Sequence, residues 1–370
     1  MLKNKPIHIT YIGRLEKEKG IELIIDCIKN GRKTEKNIIW NICGDWSYID
    51  KIRDLQKYEK SDIRIYWHID RQKINEVLNE TDLVLMPSLF LETFGLVALE
   101  TLMQWIPVCG FARGGLTDFI HPSLVLDSRD PIGSFFQILD RWGFSVLDVS
   151  GFSYNIWIER LKHLTDGVDR ILLVSDYTNI VWWAEQYVHD LAIALRSIGK
   201  EVDIYGHEWI VNKWMRISLM LMTPFAFWRW NRLNRKIKKY KPDLIWMHAI
   251  LRYIGPHGIR SVTQSHSKKY ITHHDLGLIA AYPSRIYSES YIPVSSWLWD
   301  WIVHSPMNIF TIFAVVGKWV SSFWIWYYLN LTEVTHILPS SWMTSHFQKY
   351  STTACIIFSH TSQNNIAVKK

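Results

Sequence analysis

Two doubly wound parallel α/β sheets, laid one after the other along the chain, are the architecture this sequence predicts. Three observations predict it. In the first half, short apolar runs alternate with amphipathic helical stretches, the pattern of βαβ units. At Arg170-Ile171-Leu172-Leu173-Val174-Ser175 the same pattern starts afresh. The chain has 370 residues, 48% of them hydrophobic, which is ample for two cores of ordinary size. The expected domains are 1–166 and 167–370.

The first half begins with a strand at Ile7–Gly13 and an amphipathic helix from Gly20 to Lys29. A strand at Asn37–Gly44, a helix at Tyr48–Tyr58 and a strand at Ile63–Tyr66 follow. Then come a helix at Gln72–Leu78, a buried strand opening at Asp82 and ending in Met86-Pro87-Ser88, and a helix from Gly95. Leu96, Leu99, Leu102 and Met103 recur there at helical spacing. Pro107–Gly110 reads as a strand, and Pro131–Leu139 and Tyr154–Leu164 as helices. In the second half a helix runs to Ile198 and a strand spans Glu201–Tyr205. Further strands are expected at Lys241–His248, Tyr270–Gly277, Thr335–Ser341 and Ala354–Phe358, with a helix at Trp342–Tyr350.

The totals limit the function. A net charge of +7 suits a nucleotide diphosphate or an anionic membrane surface; charge alone does not exclude nucleic acid, but none is expected as a partner. Cys27, Cys43, Cys109 and Cys355 form no CxxC pair, so free thiols in a reducing cytoplasm are expected and a zinc site is not. The N-terminus leads into a strand without a signal-peptide apolar region.

Chemistry concentrates around Glu92-Thr93-Phe94-Gly95-Leu96-Val97-Ala98-Leu99-Glu100. Strand, loop and helix start succeed one another here, and the first helical amides have no intrahelical partner, which favours an anion. Glu92 lies before the helix and Glu100 inside it. At the end of the first strand, Gly13-Arg14-Leu15-Glu16-Lys17-Glu18-Lys19-Gly20 offers Arg14 and Lys19 as a clamp for a diphosphate. A charged solvated loop is the plainer reading of that run.

Glutamate, seven residues and glutamate around Phe-Gly resembles the donor-site motif of retaining family 4 glycosyltransferases of the GT-B fold. The Gly-Arg-Leu…Lys-Gly run, Gly44-Asp45 and Gly110–Asp118 resemble further loops of that family. The resemblance implies transfer of a sugar from a nucleotide-diphosphate sugar with retention of configuration, to a glycan or lipid-linked acceptor. It implies that Glu92 contacts the donor sugar and Glu100 the ribose, and that Arg14 and Lys19 hold the phosphates. Thr93, Phe94, Gly95 and Leu96 would offer backbone amides. The resemblance also implies neither an essential metal nor another cofactor, and the lack of an Asp-x-Asp motif at an obvious strand end agrees with that.

The restart at Arg170 resembles the N-terminal domain of the same family, so the two domain types stand here in reversed order. Val181-Trp182-Trp183-Ala184-Glu185 takes the place of a Gly-Gly-Ala-Glu phosphate turn, which implies donor contact at Trp182 and Trp183. In Tyr270-Ile271-Thr272-His273-His274-Asp275, His274 is the best match to the family's sugar-facing histidine and His273 the next. A circular permutant and a slice through two adjacent transferase units both account for the order. A tight junction near Leu164–Arg170 fits the permutant if the last helix already packs on the second domain. Two other functions stay open: a non-catalytic fragment with residual nucleotide binding, and a nucleotide-sugar epimerase of the same fold.

The sequence has 20 tryptophans against 18 glycines, and some of them stand where the backbone wants glycine. Trp46, Trp67, Trp105, Trp182 and Trp183 do so, Trp105 at an expected left-handed cap; codons for glycine written as tryptophan would explain them, and the DNA decides. Two stretches bear on lipid. Ile217–Trp230 runs into Arg232, Arg235, Lys236, Lys238 and Lys239, and Trp301–Leu329 is rich in aromatics. Neither offers ~18 clean apolar residues, so no span is expected. Packing on the sheet and peripheral contact at the inner face of the cell membrane are the two readings.

Overall fold

The computed structural model describes residues 5–31, 36–44, 48–58, 62–67, 71–141, 143–179, 183–208, 223, 227–251, 253–275, 278, 309–347 and 355–357. By packing, the chain forms two units that divide between Gly151 and Phe152.

The first unit is built from β1 (Ile7–Ile12), α1 (Ile21–Lys29), β2 (Ile38–Cys43), α2 (Ile49–Tyr58), β3 (Asp62–Tyr66), α3 (Arg71–Glu80), β4 (Leu83–Met86), α4 (Leu96–Leu102), β5 (Val108–Gly110) and α5 (Pro131–Arg141). All pairings are parallel, in the order β3-β2-β1-β4-β5. β2 and β4 are buried at every residue, as strands covered on both faces must be. The strand order reverses between β1 and β4, and ligands of such sheets bind beyond the strand ends at that point.

The second unit opens with α6 (Tyr154–Leu164), β6 (Arg170–Tyr177), α7 (Trp183–Ser197), β7 (Glu201–His207), α8 (Phe227–Tyr240) and β8 (Leu244–Met247). α9 (Gly255–Thr263), β9 (Lys268–Thr272), α10 (Ile309–Leu329), β10 (Thr335–Leu338), α11 (Ser341–Phe347) and β11 (Cys355–Ile357) complete it. Its six strands are again parallel, ordered β11-β10-β9-β8-β6-β7, with the reversal between β6 and β8. Two parallel-sheet domains of the Rossmann type are therefore present, as expected. α9 had not been read from the sequence. Its Gly-Pro-His-Gly start hides the helical period, and α9 is fixed instead by burial of Ile259 and Val262 against the sheet.

The junction falls earlier than the expected 166/167. α6, read as the last helix of the first domain, packs in the second unit: Trp157 and Leu161 are buried with Leu191, Trp246 and Tyr270. The Tyr270 hydroxyl also donates to the Leu164 carbonyl at 2.8 Å. A periodicity count sees an amphipathic helix but not which sheet it covers.

Of the tryptophans singled out, Trp105 has the left-handed backbone its position implied, with φ 60°. Trp105 N–H donates to the Leu102 carbonyl at 2.9 Å and Ile106 N–H to that of Thr101 at 3.3 Å, the paired bonds of a Schellman cap with Trp105 at C′. Its side chain is 71% exposed, so the indole recovers little burial energy for that strain. Trp105→Gly is expected to stabilise the protein by about 1 kcal/mol. A rise in the urea midpoint would register this gain, and an unchanged or lower midpoint would refute it. Trp67, by contrast, carries no positive φ; it is exposed, and the Arg53 guanidinium lies 4.3 Å from its ring centroid. The expected glycine-like conformation is not found there, because β3 runs straight out into Trp67 without a left-handed turn. Trp46 and Trp182 lie outside the described residues, and Trp183 opens α7.

Candidate functional site

At the reversal point of the first sheet, the loop after β1 and the loop after β4 lie against each other. Gly20, φ 74°, permits this approach: a Cβ there would lie 2.0 Å from the Pro87 carbonyl oxygen. Leu89 N–H donates to the Glu18 carbonyl at 2.9 Å, tying the two loops together. Lys19 and Glu92 meet as a result. Lys19 Nζ lies 2.6 Å from Glu92 Oε1, and the Ser88 hydroxyl donates to the same oxygen at 2.8 Å. The Glu92 side chain is 11% exposed and that of Lys19 21%, so water screens this pair far less than a surface ion pair. The Lys19 ammonium also sits 4.7 Å from the Phe90 ring centroid, a cation–π contact.

The backbone of Glu92 is held from the other side by the loop after β5. Glu92 bridges Gly114, and a Cβ on Gly114 would lie 2.3 Å from the Glu92 carbonyl oxygen. Gly114 and Gly115 therefore have to be glycine for the motif loop to sit where it does. Gly95, φ 101°, turns the chain into α4.

The other residues expected to bind the donor are placed less directly. Arg14 pairs with its neighbour Glu16 and remains 44% exposed, so it borders the loop without touching the Lys19–Glu92 pair. The Phe94 ring is buried edge-on against Phe119, at 5.1 Å and 89°, which leaves its backbone amide as what it can offer a ligand. Thr93 and Leu96 flank Gly95 and are partly buried, as is Glu100 within α4. α4 has seven residues, so its dipole is short and the electrostatics of the site rest mainly on Lys19 and the glutamates. Ser88 was missed as a participant. The signal was there in Met86-Pro87-Ser88, a hydroxyl in the loop directly after a buried strand.

In the second unit, His274 follows β9 and His248 follows β8, beside the reversal between β6 and β8. His248 Nδ1 lies 3.3 Å from His274 Nε2, their rings stacked at 5.5 Å. Tyr187 of α7 presents its ring to both, at 5.8 and 5.2 Å. Burial pushes the His274 imidazole down to about 4, only partly offset by the neighbouring Asp275, so it is neutral at pH 7. Asp176, at the end of β6, is buried and accepts the backbone N–H groups of Tyr253 and Ile254 at 2.8 and 2.9 Å, fixing the start of α9.

His273, the second choice for the sugar-facing histidine, lies instead against His336 of β10. It is buried, with Nε2 2.8 Å from Nδ1 of His336 and the two rings nearly coplanar at 4°. Its role is in the core. Tyr187 and His248 went unrecognised because their partnership is set by the sheet order. The donor-side role expected of Trp182 falls outside the described residues. Among the described residues no group of three or more His, Cys, Asp or Glu could hold a metal ion.

The Lys19–Glu92 pair thus stands at the reversal point of a doubly wound sheet, the place where sheets of this kind hold their ligands. Residues 2–124 match the family described as glycosyl transferases group 1. Glycogen synthase of Mycobacterium tuberculosis is 30% identical over 117 residues, 31% of this chain and 28% of its own length. Lipopolysaccharide 1,2-N-acetylglucosaminetransferase of Salmonella typhimurium is 26% identical over 121 residues, 30% of this chain and 32% of its own length. The chain thus spans less than a third of the length of these curated relatives. Among solved structures, S. aureus TarM bound to UDP is similar at 22% identity and a TM-score of 0.32, over 37% of this chain and 29% of that one. Anabaena HepE with UDP and glucose is similar at 19% and 0.29, over 36% and 37%.

Proposed function

We propose that this chain is a glycosyltransferase that moves a sugar from a nucleotide-diphosphate sugar to a glycan or lipid-linked acceptor. The observation that carries this reading is the Lys19–Glu92 pair at the reversal point of a sheet whose residues match the transferase family. In the reaction the bond between the anomeric carbon and the diphosphate oxygen breaks, and the electron pair leaves with the diphosphate. The acceptor hydroxyl oxygen bonds to that carbon on the same face and its proton passes to the departing diphosphate, with retention of configuration. Lys19, with Arg14 beside it, is assigned the charge of the departing diphosphate, the point where a fixed cation lowers the barrier most. Glu92 is assigned the hydroxyls of the donor sugar, Glu100 the ribose, and the amides of Thr93 to Leu96 the oxygens between them. In the second unit, taken by itself, His274 offers a neutral imidazole to a ligand at the end of β9. The cations take the part that a divalent metal would otherwise play.

The full chain incubated with radiolabelled UDP-, GDP-, ADP- and dTDP-sugars is expected to release a nucleoside diphosphate from at least one of them, with or without EDTA. A second reading, nucleotide binding without transfer, is favoured by the restriction of the family match to residues 2–124. Binding by calorimetry without turnover of any donor would select that reading. Conversion of the donor to its isomer without acceptor would select the epimerase.

A further inference from the structure

We propose that the outer face of α8, α9 and α10 docks on an anionic lipid bilayer. These three helices cover one side of the second sheet. Leu233 and Ile237 of α8, Ile259 and Val262 of α9, and Ile325 and Leu329 of α10 share one core with β6, β8 and β9. α9 packs against both α8 and α10, so the three form a continuous layer.

The layer contains no aspartate or glutamate in any of its helices, in a chain that has 35 acidic residues. Arg232, Arg235, Lys238 and Lys239 of α8 are exposed on the stripe opposite Leu233 and Ile237. Among the described residues none of these α8 side chains enters an ion pair; Lys236, closer to the sheet, is the one that pairs, with Asp203. A stripe of like charges without counter-charges repels itself, and an anionic surface relieves that repulsion.

α10 supplies the apolar component. Its inward residues Val315, Ile325 and Leu329 are buried, yet Phe323, Trp324 and Tyr327 are 48, 42 and 49% exposed, with Leu331 just beyond at 61%. The exposed rings contact one another, Phe323 on Trp324 at 5.8 Å and Trp324 on Tyr327 at 5.5 Å, both edge-on. Amphipathic rings beside cations suit the headgroup level of a bilayer, where the ring enters and the charge meets phosphate. No described helix is long and apolar enough to cross a membrane, so the contact is peripheral. The inference goes beyond the proposed reaction and does not depend on it.

Co-sedimentation of the full chain with phosphatidylcholine vesicles, with and without phosphatidylglycerol, is the test. Binding is expected to the anionic vesicles, to weaken with salt, and to fall by about 30-fold in Arg232→Gln/Arg235→Gln. Phe323→Ser/Tyr327→Ser is expected to lower binding even at low salt, and the positions are exposed, so both variants should keep the far-UV circular dichroism of the parent. If a variant fails to fold, the lipid and salt dependence of the unmodified chain decides. Equal binding to neutral vesicles, no binding to either, unchanged binding of both folded variants, or preference for a single-stranded oligonucleotide over anionic vesicles would each overturn the proposal.

Discussion

Glu92→Gln is expected to lower sugar transfer by between about 10- and 150-fold, the equivalent of losing one charge-assisted hydrogen bond to substrate. Glutamine keeps an oxygen for Lys19 and Ser88, so the loop keeps its anchors and thermal stability changes little. What disappears is the charge. A carboxylate accepts from sugar hydroxyls more strongly than an amide, and it also sets the position of the ammonium 2.6 Å away. Lys19→Met is expected to raise KM for the donor and to lower kcat, because the same ammonium meets the diphosphate before and during departure. The two residues touch, so the double variant should lose less than the product of the single effects. Full additivity in donor turnover would show that the pair does not act as a unit, and unchanged turnover in Glu92→Gln would remove Glu92 from the site.

The second large effect is on stability below neutral pH. Burial pushes His336 and His274 down to about 4, and His273 lies well below its usual range through burial and the adjacent His336 and His274. A bond between Nε2 of His273 and Nδ1 of His336 needs one imidazole to donate and the other to accept, so the two cannot both be protonated in the folded state, and burial favours the neutral form of each. The sign follows from linkage. The unfolded chain binds protons near pH 6.5 while the folded chain does not, so stability is full above that pH and falls between about 6.5 and 4. The expected loss is roughly 3 kcal/mol for His336 alone over the whole window. Urea midpoints at pH 7.5 and 5.0 should therefore differ, and His336→Asn, whose amide can still accept from His273, should reduce the difference. A protein equally stable at both values would contradict this account.

How much of this was legible beforehand varies with the kind of interaction. Glu92, Glu100 and Lys19 stand in local motifs whose meaning comes from strand-loop-helix order, and that order can be read along the chain. The cap at Trp105 was legible for the same reason, since a helix followed closely by Pro107 needs a left-handed residue between them. His248 and His274 are 26 positions apart and became partners only when β8 and β9 paired. His273 and His336 are separated by 63 positions and meet across β9 and β10. Adjacent histidines 273 and 274 look equivalent in the sequence, yet the first meets His336 of β10 and the second meets His248 after β8.

The sequence by itself determined two restarting βαβ patterns, the elements of each, and the glutamate and lysine loops, because hydrophobic period and turn chemistry are local properties. Only the tertiary structure decided that α6 belongs with the second sheet and that Ser88 joins Lys19 on Glu92. It also decided that an acid-free layer of three helices faces outward. Those facts depend on which surfaces bury one another, and burial is settled by contacts between residues far apart in the chain.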